Sequence, residues 1–238
     1  MGGKNKIKRF EENRTFGHFF QVPFSEAMQG FRLRGKWRDA FFHNDHPLVL
    51  ELGCGKGEYT VGLARRYPKK NFIGVDIKGA RMWRGAKTSW EEGLRNVAFL
   101  RTRIELIGYF FDAAEVNEIW ITFPDPHPRH SRQRKRLTHP VFLERYRNFL
   151  DAPHLIHLKT DDPGLYSFTR EVVTYNGYDV HQDTPDLYRS GLQEEASQIQ
   201  TFYEQMWLEQ EKPIHYLRFT LAPDRQALAP PSEDPSYE

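Results

Sequence analysis

The chain has 238 residues, and its 34 basic and 32 acidic side chains leave a formal charge of only +2. No apolar run approaches the roughly 18 residues of a membrane span, and no apolar stretch typical of a secretory signal follows the first basic residues. The single cysteine, Cys54, excludes an internal disulfide and a cysteine-based zinc cluster. These features predict a cytoplasmic protein without a membrane anchor or a metal site.

Composition divides the chain into three parts. Residues 1–30 mix basic and aromatic side chains without a clear period, which predicts an N-terminal arm that orders only against the body or a partner. Residues 31–222 alternate apolar and amphipathic segments and form the main domain. Residues 223–238 are acidic and rich in proline, so we expect a disordered tail.

Short apolar runs within the main domain predict strands, and segments of helical length and period separate them. The predicted strands are Leu48–Leu52, Asn71–Ile77, Val97–Leu100, Glu118–Phe123, Leu155–Leu158 and Ile214–Leu221. The helical periods include His139–Leu150 and Leu192–Gln210. This alternation predicts an α/β fold with a mostly parallel sheet that helices cover on both faces.

A glycine-rich turn follows the first of these strands and precedes a predicted helix. Its glycines, Gly53, Gly55 and Gly57, allow a tight turn and a close approach of backbone to ligand. A dinucleotide-binding turn would place its third glycine one residue later, where this chain has Glu58. A carboxylate there would repel a pyrophosphate, so the spacing disfavours NAD.

Two acids accompany this turn. Glu51 lies two residues before the first glycine, where S-adenosylmethionine enzymes commonly carry an acid near the methionine end of the cofactor. Asp76 ends the second strand, where a carboxylate can accept hydrogen bonds from both ribose hydroxyls. The pattern favours S-adenosylmethionine as cofactor, and the alternative is a purely structural strand-to-helix turn.

The fourth strand runs into a segment of alternating prolines around Asp125. Prolines restrict the backbone and remove donors, which leaves one carboxylate at the edge where α/β folds bind ligands. A basic run without an acid follows and predicts contacts with phosphate, or else a solvated loop. Its members are Arg129, Arg132, Arg134, Lys135 and Arg136.

In this order the motifs resemble those of the tRNA (guanine-N7)-methyltransferase family, which belongs to the class I S-adenosylmethionine-dependent methyltransferases. The resemblance runs from about Pro47 to Phe219 and includes Arg136-Leu137-Thr138, Lys159-Thr160-Asp161 and Thr201-Phe202-Tyr203-Glu204. It implies a Rossmann-like fold with a seven-stranded sheet and an antiparallel last strand. It also implies a cytoplasmic enzyme, monomer or homodimer, that methylates N7 of a guanosine in the variable loop of tRNA.

The resemblance assigns roles residue by residue. Cofactor contacts fall on Glu51, Gly53, Gly55, Gly57, Asp76, Arg103 and Asp125, and substrate contacts on Arg129, Asp161, Thr201, Phe202, Tyr203 and Glu204. Arg132, Arg134, Lys135 and Arg136 are expected to bind RNA. Five positions depart from the family pattern. His127 stands where tryptophan is common, and Arg103 where an Asp or Asn often faces the adenine. In the basic run, Arg129 replaces the common lysine, Arg132 a histidine and Lys135 an arginine.

Asp125 is the expected catalytic residue. Guanine N7 carries an in-plane lone pair, so the enzyme needs no general base, and positioning together with a carboxylate near the growing positive charge should dominate. Two alternatives stay open: a methyltransferase for another nitrogen, in protein or DNA, and a non-catalytic RNA-binding module that retains the nucleotide pocket.

Overall fold

The computed structural model describes residues 3–192 and 195–231, which contain one sheet of eight strands. The strands are β1 (Phe19–Gln21), β2 (Leu48–Leu52), β3 (Asn71–Asp76), β4 (Val97–Arg101), β5 (Val116–Thr122), β6 (Leu150–Thr160), β7 (Asp179–Thr184) and β8 (His215–Thr220). Their spatial order is β1-β4-β3-β2-β5-β6-β8-β7, and β8 is antiparallel to both of its neighbours. The mostly parallel sheet and its antiparallel last strand are confirmed, with eight strands rather than seven.

Helices surround the sheet. They are α1 (Gly3–Asn13), α2 (Phe24–Gly30), α3 (Glu58–Arg66), α4 (Gly79–Glu91), α5 (Pro140–Arg147), α6 (Pro163–Tyr175) and α7 (Phe202–Glu209). In β2, Leu48, Leu50 and Leu52 belong to one buried cluster and Val49 to another. Because side chains alternate along a strand, the central sheet is packed on both faces. Across the described ranges, no helix has the length and apolarity to cross a membrane.

The strand order reverses beside β2. From β2 the chain proceeds outward through β3 and β4, then returns to β5 on the other side of β2. In open α/β sheets such a reversal leaves a crevice at the carboxyl ends of the strands, because the flanking connections lie on opposite faces. The glycine turn after β2 and the proline-rich segment after β5 both open into this crevice.

The N-terminal residues pack on the domain. Strand β1 pairs in parallel with β4, so that Phe19 faces Phe99, and the Asn13 amide at the end of α1 donates to the Gly79 carbonyl at 2.9 Å. Phe16, Phe19 and Phe20 are buried. The eighth strand of the sheet therefore comes from the segment that the sequence predicts as an arm.

One prediction near the C-terminus is wrong. The helix predicted over Leu192–Gln210 is instead a short 3-10 turn (Glu195–Ser197) followed by α7, which begins after Thr201 because that side chain caps it. Within the predicted tail, Ala227 is buried and its amide donates to Glu144 at 2.5 Å, while disorder of the tail stays a prediction. The rest of the predicted tail, 232–238, lies outside the described residues.

Candidate functional site

A crevice of about 760 Å³ lies at the carboxyl ends of β2, β3, β4 and β5. It brings together many of the residues that the sequence predicts as a site: Glu51, Gly53, Gly55, Asp76, Arg103, Asp125, Lys135, Thr201 and Tyr203. Other predicted site residues do not line it: Gly57, Arg129, Arg132, Arg134, Arg136, Asp161, Phe202 and Glu204.

The glycine turn is shaped by left-handed backbone at all three of its glycines. Gly53, Gly55 and Gly57 have φ values of 79°, 56° and 72°. A Cβ on Gly53 or Gly55 would meet no atom closer than 3.8 Å, whereas one on Gly57 would lie 2.6 Å from the Phe99 ring and 3.2 Å from Gly85 Cα. The first two glycines therefore leave room above the turn, and the third permits the close approach of α4 and β4.

Glu51 lies beneath the turn as a buried carboxyl group. It accepts hydrogen bonds from the hydroxyls of Thr60 and Thr122, the latter at 2.5 Å. Burial raises its pKa to about 7, although the two hydroxyl donors act in the opposite direction. The group therefore titrates near neutral pH, and a cation in the crevice would favour its ionised form.

Asp76 is held by backbone amides at the end of β3. Its two oxygens accept from Gly55 N at 2.9 Å and from Lys78 N at 2.7 Å, which fixes the plane of the carboxylate. Arg103 follows β4, the strand next to β3, in extended conformation, and its side chain is 63% exposed beside Glu105 at 3.6 Å. Arg103 belongs to the crevice lining, and its contact with the cofactor stays a prediction.

The proline-rich segment after β5 is strained. Phe123 and His127, which are not glycines, have φ values of 47° and 44°. Between them Asp125 projects with 74% of its side chain exposed, and its Oδ1 accepts from the His127 amide at 3.3 Å. Strain of this kind persists only where the surroundings enforce it, and it is concentrated at functional sites.

Arg136 helps to hold this strained loop. Its buried side chain donates to the carbonyls of Pro126 at 3.0 Å and His127 at 3.4 Å, and it packs on the Phe168 ring. Burial lowers its pKa. Arg136 therefore supports the loop that carries Asp125, and its predicted contact with RNA stays a prediction.

The other cations of the basic run are exposed on a 3-10 turn (His130–Lys135) and its approach. Arg129, Arg132, Arg134 and Lys135 form no ion pair with any carboxylate in the described part of the chain. They present uncompensated positive charge at one rim of the crevice, where Lys135 belongs to the lining.

Glu204 does not line the crevice, and its predicted substrate contact stays a prediction. It is fully buried and pairs with the equally buried Lys159 at 2.6 Å, and it also accepts from the Tyr188 hydroxyl at 2.7 Å. The Lys159 ammonium donates as well to the carbonyls of Ala196 and Ile199. Sequence reasoning missed Lys159, which joins β6 to the segment before α7.

The start of α7 is anchored over the glycine turn. Thr201 and Glu204 form a capping box, and the Phe202 amide donates to the Glu58 carboxylate at 3.0 Å. The Lys56 ammonium lies 4.7 Å from the Phe202 ring centroid. These contacts bring Thr201 and Tyr203 to the crevice, while Asp161 follows β6 at the same sheet edge without lining it.

Comparison with solved structures shows the class of fold. The 16S rRNA methyltransferase KamB superposes with a TM-score of 0.56 at 16% identity, covering 86% of this chain and 96% of that chain. A 16S rRNA (adenine(1408)-N(1))-methyltransferase from Catenulisporales acidiphilia superposes with a TM-score of 0.54 at 13% identity, covering 87% and 96%. The chain has the Rossmann-like fold of class I methyltransferases.

Comparison of sequences gives the family. A family model described as "Putative methyltransferase" matches residues 45–217. Two curated relatives carry the name tRNA (guanine-N(7)-)-methyltransferase: one from Christiangramia forsetii is 53% identical over 93% of this chain and all of its own length, and one from Porphyromonas gingivalis is 55% identical over 92% and 91%. This chain belongs to the tRNA (guanine-N(7)-)-methyltransferase family.

Proposed function

We propose that this protein transfers a methyl group from S-adenosylmethionine to N7 of a guanosine in the variable loop of tRNA. The observation that carries the proposal is the full-length similarity to relatives of that name, together with one crevice that joins the glycine turn to Asp125. The uncompensated cations at the crevice rim suit a polyanionic substrate.

The residues present fit S-adenosylmethionine. The open space above Gly53 and Gly55 would admit a ligand close to the backbone, and Asp76 has the position and fixed orientation that suit ribose hydroxyls. Glu51 offers a buried carboxylate to the cationic methionine end. When bound, the cofactor supplies a methyl group activated by its positively charged sulfur.

The nucleophile needs no deprotonation, because guanine N7 already carries an in-plane lone pair. The new bond forms between N7 and the methyl carbon as the carbon–sulfur bond breaks, and the positive charge passes from sulfur to the purine. The protein's task is therefore to hold N7 in line with the methyl group, an effect that contributes up to roughly 7 to 11 kcal/mol.

Asp125 acts as the catalytic residue of this proposal. Its exposed carboxylate lies in the crevice and can accept a hydrogen bond from the guanine edge, so that it stabilises the charge growing on the ring. The strained backbone at Phe123 and His127, held by Arg136, sets the direction of this carboxylate.

The substrate is held around this point. Tyr203 and Thr201 line the opposite wall, and the cations Arg129, Arg132, Arg134 and Lys135 face the phosphates beside the target nucleotide. Asp161 lies at the edge of β6 next to this wall and contributes a further acceptor. Guanosine leaves the base stack to enter the crevice, since N7 must reach the methyl group.

The test is the position of methylation on unmodified tRNA. We expect the protein and S-adenosylmethionine to give one methylated guanosine in the variable loop. A transcript carrying 7-deazaguanosine there, which has a carbon in place of N7, should accept no methyl group. Methylation that persists on the deaza transcript, occurs at another atom, or is absent from every tRNA tested would contradict the proposal.

A further inference from the structure

A second groove of about 630 Å³ adjoins the crevice on the outer side of α3 and α4. The 198–205 segment forms its other wall, and Lys56 and Glu58 belong to both the groove and the crevice. The groove carries more positive than negative charge, with one acid, Glu58, against four cations: Lys56, Arg65, Arg66 and Arg84.

Two of these cations lack a counter-charge. Arg65 is neutralised by a two-pronged ion pair with Glu92, with distances of 2.7 and 2.5 Å. Arg66 and Arg84 are exposed, and no carboxylate within residues 3–192 and 195–231 lies within ion-pair distance of either. Exposed guanidinium groups of this kind bind phosphate oxygens well, because their planar donors match them in pairs.

The positive charge is continuous with the catalytic crevice. Arg81 lines the crevice and Arg84 lines the groove, three residues apart on α4. Helix residues at that spacing are neighbours on one face, so the two guanidinium groups form a row that leads out of the crevice. A phosphate chain that leaves the crevice can follow this row.

The wall of the groove formed by residues 198–205 carries groups that suit a nucleotide rather than a bare anion. Phe202 is 53% exposed at the border between crevice and groove, with the Lys56 ammonium near its ring. The exposed side chains of Gln198 and Gln205 follow along the same wall. Aromatic stacking, amide hydrogen bonds and arginines together are the means by which proteins hold single-stranded RNA.

We infer that this groove binds the tRNA nucleotides next to the methylated guanosine, with Arg66 and Arg84 on their phosphates. The inference rests on the proposed function and assigns the substrate a second contact surface. The cations around Arg132 bind on one side of the crevice and the α3–α4 groove on the other. The flipped guanosine would then be held from both flanks.

The experiment compares two double variants of equal charge change. Arg66→Ala/Arg84→Ala removes the groove's unpaired cations, and Arg32→Ala/Lys36→Ala removes two exposed cations of the segment between α2 and β2, which lies beside Glu115 at the start of β5. Binding of unmodified tRNA transcript is measured without cofactor between about 50 and 200 mM salt, where each lost phosphate contact to a single strand lowers the slope of log affinity against log salt by about 0.7.

We expect the groove variant to bind tRNA roughly tenfold more weakly and to lose about 1.4 units of salt slope, while the control stays near wild type. Equal losses in both variants, or none in either, would overturn the inference. If wild type methylates guanosine N7 while the groove variant binds like the control, the groove assignment fails alone. Because binding is read directly, a groove effect without any methylation would instead reject the proposed function.

Discussion

The acids on the two sides of the crevice are held in opposite ways. On the cofactor side, Glu51 is buried between two hydroxyls and Asp76 is fixed by two backbone amides. On the substrate side, Asp125 is 74% exposed and bonded only to its own loop. One half is complete before a ligand arrives, and the other needs the substrate to complete it.

This difference follows from the ligands proposed for each half. A small cofactor can be bound by groups whose partners are already in place, because little surface must move to admit it. A base presented by a large RNA brings its own hydrogen-bond partners and excludes water as it enters. Backbone strain is therefore stored in the substrate loop, at Phe123 and His127, while the cofactor half turns at glycines instead.

The largest loss of stability is expected when the buried ion pair between Lys159 and Glu204 is broken. Lys159→Met leaves the Glu204 carboxylate buried and unpaired, which should lower the free energy of unfolding by about 3–5 kcal/mol. The matched change Arg65→Met removes an exposed pair and should cost at most about 1 kcal/mol. Urea denaturation of both variants measures the difference. Equal losses of unfolding free energy would show that the buried pair is no more important for stability than the exposed one.

A rescue variant sharpens this result. Lys159→Met/Glu204→Gln removes both charges, so it should recover part of the lost stability. Because Ala196 and Ile199 remain without their ammonium donor, the KM of this double variant for tRNA should exceed the wild-type value. A wild-type KM would show that the pair acts on stability alone and does not position the start of α7.

The second-largest loss of stability is expected at the glycine turn of the cofactor half. Gly57→Ala places a methyl group 2.6 Å from the Phe99 ring in a left-handed backbone, and we expect a loss of about 2–4 kcal/mol. Gly93 has a similar φ of 66° with open space around it, so Gly93→Ala should cost only about 1 kcal/mol. Thermal unfolding compares them, and matching losses would show that packing against Phe99 is unimportant.

Most of the sheet and the glycine turn of the cofactor half could be predicted from sequence, because each is marked by a pattern of neighbouring residues. Apolar runs predict β2 to β6 and β8, and three glycines in five residues predict the turn. Strands β1 and β7 were not predicted. The first has only three residues, and the second is a largely exposed edge strand of mostly polar side chains. Neither produces a recognisable hydrophobic pattern.

The surroundings of the side chains in the substrate half could not be predicted from sequence, because they depend on contacts between residues that are separated in the chain. Arg136 continues a run of exposed cations in sequence but turns inward to the carbonyls of Pro126 and His127. Glu204 resembles a site acid until Lys159, far away in the chain, neutralises it. Residue type gives the charge, but only the fold decides whether that charge faces water, a neighbour or the crevice.

A smaller effect should appear in the pH dependence of cofactor binding. Because folding raises the Glu51 pKa to about 7, the protonated form favours the folded state, and this contribution to stability is lost as pH rises from about 4.5 to 7. A bound cation reverses that preference by requiring the carboxylate. Affinity for S-adenosylhomocysteine should therefore weaken by roughly tenfold from pH 8 to pH 6.

Glu51→Gln is the control for this titration. The amide cannot ionise, so calorimetry should find weaker binding that changes little over the same pH range. A wild-type affinity that is independent of pH, or a variant that keeps the full dependence, would assign the titration to another group.

The most direct test of the two-sided crevice is Asp125→Asn, which keeps the shape of the side chain and removes its charge. Single-turnover methylation of unmodified tRNA should slow by roughly 10²- to 10³-fold, while the affinity for S-adenosylhomocysteine and the unfolding temperature change little. A wild-type rate in this variant, or a loss of cofactor affinity as large as the loss of rate, would contradict the account.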